Sequence, residues 1–414
     1  MVTIPLPHLH TVSVVMYARV GSRYESEATS GLSHFLEHML FRGTREWPDP
    51  HAFHSAIEAV GGTLYAETGR DYSLYQISVH PESLDEALSL FGEIFRAPAF
   101  SGIEVERRVV LEEMLEDFDE RGRLVNIDDL ARREAWPDHP LGWSIVGPLA
   151  NVRRFTRADV KRHFARFYGA RNMVLCISGG FDPRRALAGA RRAMRGLTPG
   201  TRAPVHPPDG LERGPRFRFA ETDASQSQMQ LLFTGPELAE RAPEYPALLL
   251  LARIIDDGMS ARLHARIIDE LGLAYSVGAS LDTFVDAGLF EIDGACKPAS
   301  LPALVRECLA IVERLGDERV SDAELDKVKR RYRWDLERAF DDPDVMAGWL
   351  GGAELFVRPL GFAEKIERIR RIGPDELREV ARRVFTKKRL TVACVGPKDA
   401  RREAAVRRTV DRFR

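Results

Sequence analysis

The sequence predicts an α+β fold made of two homologous domains, each a mixed sheet flanked by helices, related by internal duplication. Two observations lead to this prediction: a proline- and glycine-rich break near the middle of the chain, and a set of landmarks that recurs in the same order on both sides of it. With 414 residues, of which 44% are hydrophobic, the chain has ample material for the two to four domains expected at roughly 100–200 residues each.

The break covers residues 196–215, GLTPGTRAPVHPPDGLERGP, and combines proline, glycine and arginine without apolar periodicity. Such a composition is typical of a linker. It predicts a first domain at residues 1–195 and a second domain at residues 216–414. Each of these has a size that is common for a single domain.

The recurring landmarks are a strand, a helix that starts with Pro-x-Ser-Leu and a second helix that starts with Ser-x-x-Glu. They lie at 72–79, 81–84 and 101–104 in the first half, and at 288–295, 298–301 and 321–324 in the second. The Ser-x-x-Glu pattern caps a helix because both side chains accept hydrogen bonds from free backbone N–H groups. Unrelated strand–helix–helix segments can look alike, but landmarks in the same order favour duplication.

The charge and hydropathy of the chain argue against two classes of partner. A net charge of −2, from 60 basic and 62 acidic residues, gives no electrostatic basis for binding nucleic acid. The longest aliphatic stretch, at residues 247–252, is far shorter than the roughly 20 residues that cross a bilayer. The apolar N-terminus lacks a basic leader and is broken by Pro5 and Pro7, so we expect a strand there and not a signal peptide.

The cysteines are predicted to be small core residues of a protein in a reducing compartment. They form no Cys-x-x-Cys pair and lie far apart in the sequence, at Cys176, Cys296, Cys308 and Cys394. This spacing suits neither a disulfide framework nor a sulfur metal site. The expected location is the cytoplasm.

A candidate metal site lies in the segment GLSHFLEHMLFRGT at 31–44. Ser33 is predicted to cap a helix in which His34 and His38, one turn apart, project from the same face. This spacing lets both imidazoles reach one zinc ion at about 2.0–2.1 Å. Glu37 lies beside them and is the predicted general base for a metal-activated water. Apolar residues fill the other positions, so we expect this helix to be buried nearly all round.

The third protein ligand that a catalytic zinc usually takes is predicted to come from the helix opened by the first Ser-x-x-Glu. Glu106 and Glu113 are two turns apart and share a face with Val109 and Val110, which periodicity predicts to be the buried face. Glu112 is rotated by about 100° from Glu113 and lies off this face. Glu113 is therefore the expected ligand, and Glu106 is expected to orient a histidine or the ligand carboxylate from behind.

The number of metal sites follows from the comparison of the two halves. In the second half Arg333 aligns with Glu113, and no histidine pair appears between Leu248 and Ile255, so one zinc ion per chain is expected. A pair of histidines four residues apart can also be a satisfied core pair, but the downstream glutamates favour the metal site. The remaining histidines that we considered are interpreted as surface or core residues: His51, His54, His80 and His139.

The motif HFLEH, followed by a glutamate after 74 intervening residues, resembles the inverted zinc motif of the M16 peptidase family, which includes pitrilysin, the insulin-degrading enzyme and the mitochondrial processing peptidase. The chain is similar to bacterial short-chain members of that family, which typically begin with a further strand, so the resemblance implies that this chain begins late. It extends through VGSRYE (20–25), VGGTLYAET (60–68), ERRVVLEEM (106–114), HPLGWSIVG (139–147), YGARNMVLCISG (168–179) and GLAYSV (272–277).

The resemblance implies a zinc endopeptidase that hydrolyses unfolded peptides inside a chamber formed by two related chains, as a homodimer or a heterodimer. It also implies substrate contacts from an edge strand that pairs with an extended peptide. Here that strand carries Tyr65, Ala66 and Thr68, with Tyr65 in place of the family's asparagine. Tyr65 is equally compatible with an ordinary outward-facing strand aromatic.

A second departure from the family pattern concerns an arginine that contacts the substrate together with a tyrosine seven residues later. Tyr275 is present, but Ile268 stands in place of the arginine. Arg262 and Arg266 are near but lack the expected spacing. Tyr275 is thus an expected substrate contact, with a packed strand tyrosine as the alternative.

Two alternatives to an independent zinc endopeptidase stay open. The first is a zinc-bearing subunit that is weak or inactive until a partner chain supplies the missing arginine. The second is a non-catalytic structural protein, similar to the core subunits of the respiratory bc1 complex. The presence of His34, Glu37, His38 and Glu113 counts against the second alternative, because a structural role does not require them.

Overall fold

The computed structural model describes residues 1–209 and 212–414 and has the predicted α+β architecture, with two five-stranded mixed sheets flanked by helices. The strands are β1 Val2–Pro5, β2 Val12–Ala18, β3 Thr63–Thr68, β4 Ser73–Val79, β5 Met173–Gly179, β6 Arg216–Glu221, β7 Ser227–Gly235, β8 Ala274–Thr283, β9 Gly288–Cys296 and β10 Leu390–Gly396. The N-terminus forms a strand, as predicted.

The helices connect the strands and cover the sheets. They are α1 Leu32–Leu40, α2 Pro50–Ala59, α3 Leu84–Arg96, α4 Ile103–Glu113, α5 Ile127–Ala135, α6 Leu149–Arg154, α7 Arg157–Phe167, α8 Pro183–Ala193, α9 Tyr245–Ile255, α10 Leu301–Asp317, α11 Asp322–Arg338, α12 Pro343–Met346, α13 Phe362–Arg371, α14 Pro374–Val384 and α15 Ala400–Arg412. Two further segments, His264–Glu270 and Ala347–Gly352, are wound as π-helix. Within the described residues, no helix is both long enough and apolar enough to cross a membrane.

The two sheets repeat one topology. The first has the order β1-β5-β2-β4-β3 and the second the order β6-β10-β7-β9-β8. In each sheet the first two strands of this order are parallel and the other neighbours are antiparallel. The Pro-x-Ser-Leu landmark likewise recurs, because a 3-10 turn at Pro81–Ser83 precedes α3 and one at Pro298–Ser300 precedes α10. This correspondence supports internal duplication.

The contacts divide the chain into two units whose segments alternate along the sequence. Unit 1 contains Met1–Met114, Trp143–His206 and Asp335–Leu360, and unit 2 contains Leu115–Gly142, Pro207–Trp334 and Gly361–Arg414. The boundary between His206 of unit 1 and Pro207 of unit 2 falls in the predicted linker at 196–215. Residues 210 and 211 of this linker lie outside the described residues. A single division at the linker would assign 115–142 to the first unit and 335–360 to the second. The contacts instead assign 115–142 to unit 2 and 335–360 to unit 1.

Each of these exchanged ranges covers a sheet face. In unit 1, Met346 and Leu355 pack with Val15 and Tyr17 of β2. In unit 2, residues of α5 and the following turn pack with Leu232 and Ala393 of the second sheet: Ala131, Ala135 and Trp136. The four cysteines are unpaired and buried, which confirms their prediction as core residues.

The serine part of the Ser-x-x-Glu cap is confirmed in the second half of the chain, where the carboxylate of Glu324 instead accepts from Arg262. The hydroxyl of Ser321 accepts a hydrogen bond from the backbone N–H of Glu324 at 3.2 Å. The cap predicted at Ser101 is wrong, because α4 follows Gly102 in a left-handed conformation (φ 68°). The Ser101 hydroxyl instead donates to the carbonyl of Arg42 at 3.1 Å.

Candidate metal centre

Helix α1 carries the two histidines, and its first turn is held by a carboxylate from an earlier loop. The carboxylate of Glu25 accepts hydrogen bonds from the backbone N–H of Gly31 at 2.8 Å and of Ser33 at 2.7 Å. The prediction that Ser33 caps α1 is therefore wrong, since Ser33 is the second residue of the helix. Its hydroxyl lies 3.0 Å from Nε2 of the buried His163. The start of α1 is therefore held by Glu25 through its backbone and by His163 through the Ser33 side chain.

The imidazoles of His34 and His38 lie on one face of α1 and share a carboxylate. Their ring centroids are 4.7 Å apart. Nε2 of His34 lies 3.4 Å from Oε1 of Glu113, and Nε2 of His38 lies 3.4 Å from Oε2 of the same carboxylate. One donor atom from each of the three residues falls within 4.8 Å of the others, and no further group of this kind occurs in the described ranges 1–209 and 212–414.

Helix α4 brings Glu106 and Glu113 to the histidines, but its buried face differs from the prediction. Val110 is fully buried, whereas Val109 is 48% exposed, so placing Val109 on the buried face was wrong. The buried face is centred near Val110, about 40° beyond Glu106 around the helix. Glu113 lies at the margin of that face and keeps 43% of its side chain exposed. Glu112 is exposed and lies outside the three-residue group.

The spacing of these donors fits a zinc ion. Tetrahedral bonds of about 2.0–2.1 Å place neighbouring ligand atoms about 3.3 Å apart. Each of the two Nε2 atoms lies at a similar distance, 3.4 Å, from an oxygen of Glu113, Oε1 for His34 and Oε2 for His38. Two imidazole nitrogens and one carboxylate oxygen also form a ligand set that catalytic zinc sites use, with a fourth position left open.

Glu106, which was predicted to orient a histidine or the ligand carboxylate, contacts His38. Nδ1 of His38 donates to Oε1 of Glu106 at 2.9 Å, which turns Nε2 of the ring towards Glu113. Oε2 of Glu106 lies 3.6 Å from Nε of Arg42. Nδ1 of His34 is buried and has no hydrogen-bond partner among the described residues. The two histidines are therefore held differently, one by a carboxylate and one by packing.

The carboxylates around the histidines shift two pKa values in opposite directions. Burial disfavours the charged form of His38, but hydrogen bonds with Glu106 and Glu113 outweigh burial and raise the pKa of His38 to about 9. Hydrogen bonds from His34 and His38 hold the pKa of Glu113 well below its usual range. The site therefore favours a charged carboxylate at Glu113.

Glu37 lies on the partly exposed side of α1 and is contacted by the end of β3. The hydroxyl of Thr68 donates to Oε2 of Glu37 at 2.5 Å. Thr68 is 8% exposed, whereas Tyr65 on the same strand is exposed and its hydroxyl donates to Oε2 of Glu67 at 3.3 Å. Ala66 is half-buried. The three strand residues predicted to contact substrate thus have different surroundings.

Strand β3 is an edge strand in the described part of the first sheet, where it pairs with β4 alone. The register places Tyr65 opposite Gln76 and Thr68 opposite Ser73. The side of β3 away from β4 is therefore open to a further strand, as the edge-strand prediction requires.

The residues predicted around Tyr275 lie in unit 2. Tyr275 is 94% exposed on β8, so it is not the packed strand tyrosine of the alternative interpretation. Ile268 is half-buried in the π-helical segment His264–Glu270. Arg262 donates to both carboxylate oxygens of Glu324, at 3.0 and 2.8 Å.

Arg266, the other arginine near Ile268, is also engaged. Its Nε donates to Glu307 at 3.0 Å and its Nη1 donates to Glu270 at 2.8 Å. Both guanidinium groups thus neutralise carboxylates of their own unit. The donors engaged in these contacts are directed at protein groups.

Two family models match the chain. The model described as "Insulinase (Peptidase family M16)" matches residues 1–149, and the model described as "Peptidase M16 inactive domain" matches residues 154–332. The group His34, His38 and Glu113 lies within the first match.

Individual relatives match over almost the full length. An uncharacterized zinc protease of Mycobacterium bovis is 30% identical over 407 residues, which cover 96% of this chain and 91% of the relative. A probable beta subunit of the mitochondrial processing peptidase of Arabidopsis thaliana is 27% identical over 404 residues, covering 94% of this chain and 74% of the relative. The crystal structure of a protease from Helicobacter pylori matches with a TM-score of 0.88 at 22% identity, covering 95% of this chain and 96% of that chain.

Proposed function

The chain belongs to the M16 family of peptidases, and we propose that it is a zinc-dependent endopeptidase whose single metal ion is held by His34, His38 and Glu113. The observation that carries this proposal is the convergence of two imidazoles and one carboxylate, whose donor atoms lie within 4.8 Å of one another and form a ligand set that catalytic zinc sites use. The name of the mycobacterial relative, a zinc protease, supports both the metal and the hydrolytic activity.

In the proposed hydrolysis, the metal and Glu37 have separate roles. A bound zinc ion supplies a Lewis acid that lowers the pKa of water to near neutrality and polarises a carbonyl group. Glu37 accepts the proton of the attacking water and passes it to the leaving amine. Glu106 holds the ring of His38 in the orientation that directs Nε2 towards Glu113, where the metal would bind. No nucleophilic serine or cysteine is needed along this path.

The proposed substrate is an extended, unfolded peptide. Strand β3 ends at Thr68, which contacts Glu37, and its outer side is open among the described residues. A peptide that adds to β3 as a further strand is recognised through its backbone, with Tyr65 and Ala66 beside it. Cleavage of a stable folded protein as fast as an unstructured peptide of similar sequence would contradict this proposal.

A second candidate function is that of a zinc-bearing subunit that needs a partner chain. The observation that favours it is Ile268 at the position of the family's arginine, with Arg262 and Arg266 engaged by Glu324 and Glu307. The Arabidopsis relative is itself named as a subunit. Under this proposal the chain forms a heterodimer with a related M16-like chain, whereas the first proposal is compatible with a homodimer.

The proposed function is tested by measuring zinc and hydrolysis on the same preparations. The purified chain is expected to hold about one zinc ion, the count for a single three-ligand site. Hydrolysis of an unstructured peptide is expected to stop on chelation and to return with added zinc. His38→Ala and Glu113→Ala are expected to lose the metal, and Glu112→Ala, the matched control, to keep it. Full zinc occupancy in His38→Ala would overturn the ligand assignment.

A further inference from the structure

Thr68, the last residue of the edge strand β3, is buried, whereas the preceding residues Tyr65, Ala66 and Glu67 are exposed or half-buried. Its side chain is nearly excluded from solvent, and its hydroxyl points at the carboxylate of Glu37 with an oxygen–oxygen distance of 2.5 Å. A hydroxyl that donates to an ionised carboxylate makes a charge-assisted hydrogen bond, which is shorter and stronger than a neutral one. The hydroxyl proton of Thr68 is therefore committed to Glu37.

The oxygen of Thr68 remains free to accept, and a series of buried hydroxyls stands behind it. Oγ of Ser73 lies 3.4 Å from Oγ1 of Thr68 and 3.2 Å from the carbonyl of Val20. The hydroxyl of Tyr168 bonds to Ser73 and lies 2.6 Å from the hydroxyl of Tyr75. Ser73 has one proton, and the carbonyl of Val20, which can only accept, lies closer to it than Oγ1 of Thr68 does. The direction of the Thr68 hydroxyl is therefore set by the carboxylate of Glu37, which can only accept from it.

The two tyrosines at the inner end of this hydroxyl series have almost no access to solvent. Tyr75 is fully buried and Tyr168 almost so, and burial raises the pKa of both well above the usual tyrosine value. The series ends in the core of unit 1, so it offers no route for a proton between Glu37 and solvent. These buried hydroxyls line the inner side of Thr68 through its contact with Ser73.

We propose that Thr68 is a positioning residue that holds the carboxylate of Glu37 in its catalytic orientation through the hydrogen bond from its hydroxyl. The inference rests on the proposed function, in which Glu37 is the base. The place of Thr68 in the edge strand implied a contact with substrate. The proposal assigns it a different role, because its hydroxyl contacts the carboxylate of Glu37. Since β3 is also the proposed peptide-binding strand, one short segment aligns both the substrate and the base.

The test compares Thr68→Ala with Thr68→Ser, two variants that both lack the threonine methyl and differ in a single hydroxyl oxygen. For a zinc-loaded active preparation, we expect the kcat of Thr68→Ala to fall about 10–100-fold below that of Thr68→Ser, the usual effect of losing such a supporting contact. KM, zinc content and thermal midpoint are expected to agree between the two. A direct substrate contact would instead raise KM in Thr68→Ala.

A second measurement makes the outcome independent of activity. In crystal structures of the zinc-loaded variants, the Glu37 carboxylate is expected to keep its place in Thr68→Ser and to shift or become disordered in Thr68→Ala. An unmoved carboxylate in Thr68→Ala together with equal kcat values would overturn the proposal. Wild-type protein without zinc-dependent hydrolysis would contradict the proposed function instead, and the crystal structures would still decide whether Thr68 holds Glu37.

Discussion

Nδ1 of His38 and Oε1 of Glu106 are joined by a 2.9 Å hydrogen bond across two helices, α1 and α4. Glu106 is buried, so its carboxylate is held in place and fixes the ring that it contacts. His34 has no equivalent contact among the described residues. The orientation of Nε2 of His38, a proposed metal ligand, is therefore set by a carboxylate outside the proposed ligand group.

We predict that Glu106→Ala weakens zinc binding about 10–100-fold without abolishing it, because the His38 ring loses its orienting partner but keeps its donor atom. Glu106→Gln, which retains an acceptor oxygen, should fall between Ala and wild type. Competition with a zinc chelator measures these affinities. Glu112→Ala, on the exposed side of the same helix, is the control. Equal affinities for Glu106→Ala and wild type would mean that the contact does not support the metal site.

A second prediction concerns the acid stability of the fold around α1. Burial, with a smaller contribution from Arg166, lowers the pKa of His163 to about 3, against an unfolded value of about 6.5. Because the folded-state value lies below the unfolded one, unfolding takes up a proton in acid. The stability that neutral His163 provides is complete above pH 7 and is lost as pH falls from there towards 3.

His163→Gln removes this titration. We therefore expect the free-energy advantage of wild type over His163→Gln to shrink by roughly 2 kcal/mol between pH 7 and pH 5. Urea unfolding of both proteins with a chelator present measures the difference without a contribution from metal binding. An advantage that is the same at the two pH values would contradict the assignment of a neutral, buried His163.

The third prediction rests on Ile268. An arginine directed at a substrate carbonyl offers charged donors in a fixed fork, whereas isoleucine offers none. Loss of one such donor typically costs about 10²–10³ in rate, so the chain alone should be a weak peptidase. A heteromeric partner that carries the arginine should increase the rate substantially.

If the chain has no such partner, Ile268→Arg should raise kcat/KM, and Ile268→Met, which changes the side chain without adding charge, should not. The comparison is made by peptide hydrolysis with zinc-loaded protein. Vigorous hydrolysis of generic peptides by the wild-type homomer would contradict the prediction and would mean that another group does the work of the missing arginine.

The placement of the two histidines on one helix face could be predicted because helical geometry alone determines it. His34 and His38 meet on one face of any α-helix that contains them. The rotation of α4 was less well determined, since Val109 and Val110 are both apolar and lie about 100° apart on a helix in which most residues are charged. The prediction placed both residues on the buried face, whereas the structure buries Val110 and exposes Val109.

Contacts between distant segments could not be read from residue spacing. Glu25 caps α1 from a preceding loop, and its carboxylate displaces the expected cap at Ser33. Thr68 reaches Glu37 because β3 ends beside α1. The range 115–142 packs in unit 2 although the residues on either side of it belong to unit 1, and the range 335–360 packs in unit 1 although its neighbours belong to unit 2. Each of these depends on tertiary packing, for which the local pattern carries no signal.

The central claim is that Glu37 is the base at a zinc site formed by its neighbours, and Glu37→Gln tests it most directly. The substitution keeps the size of the side chain and removes its ability to accept a proton. We predict that Glu37→Gln holds about one zinc ion per chain, as wild type does, and has lost hydrolysis of an unstructured peptide under conditions where the wild-type assembly cleaves it. Retention of wild-type hydrolysis by zinc-loaded Glu37→Gln would contradict the claim.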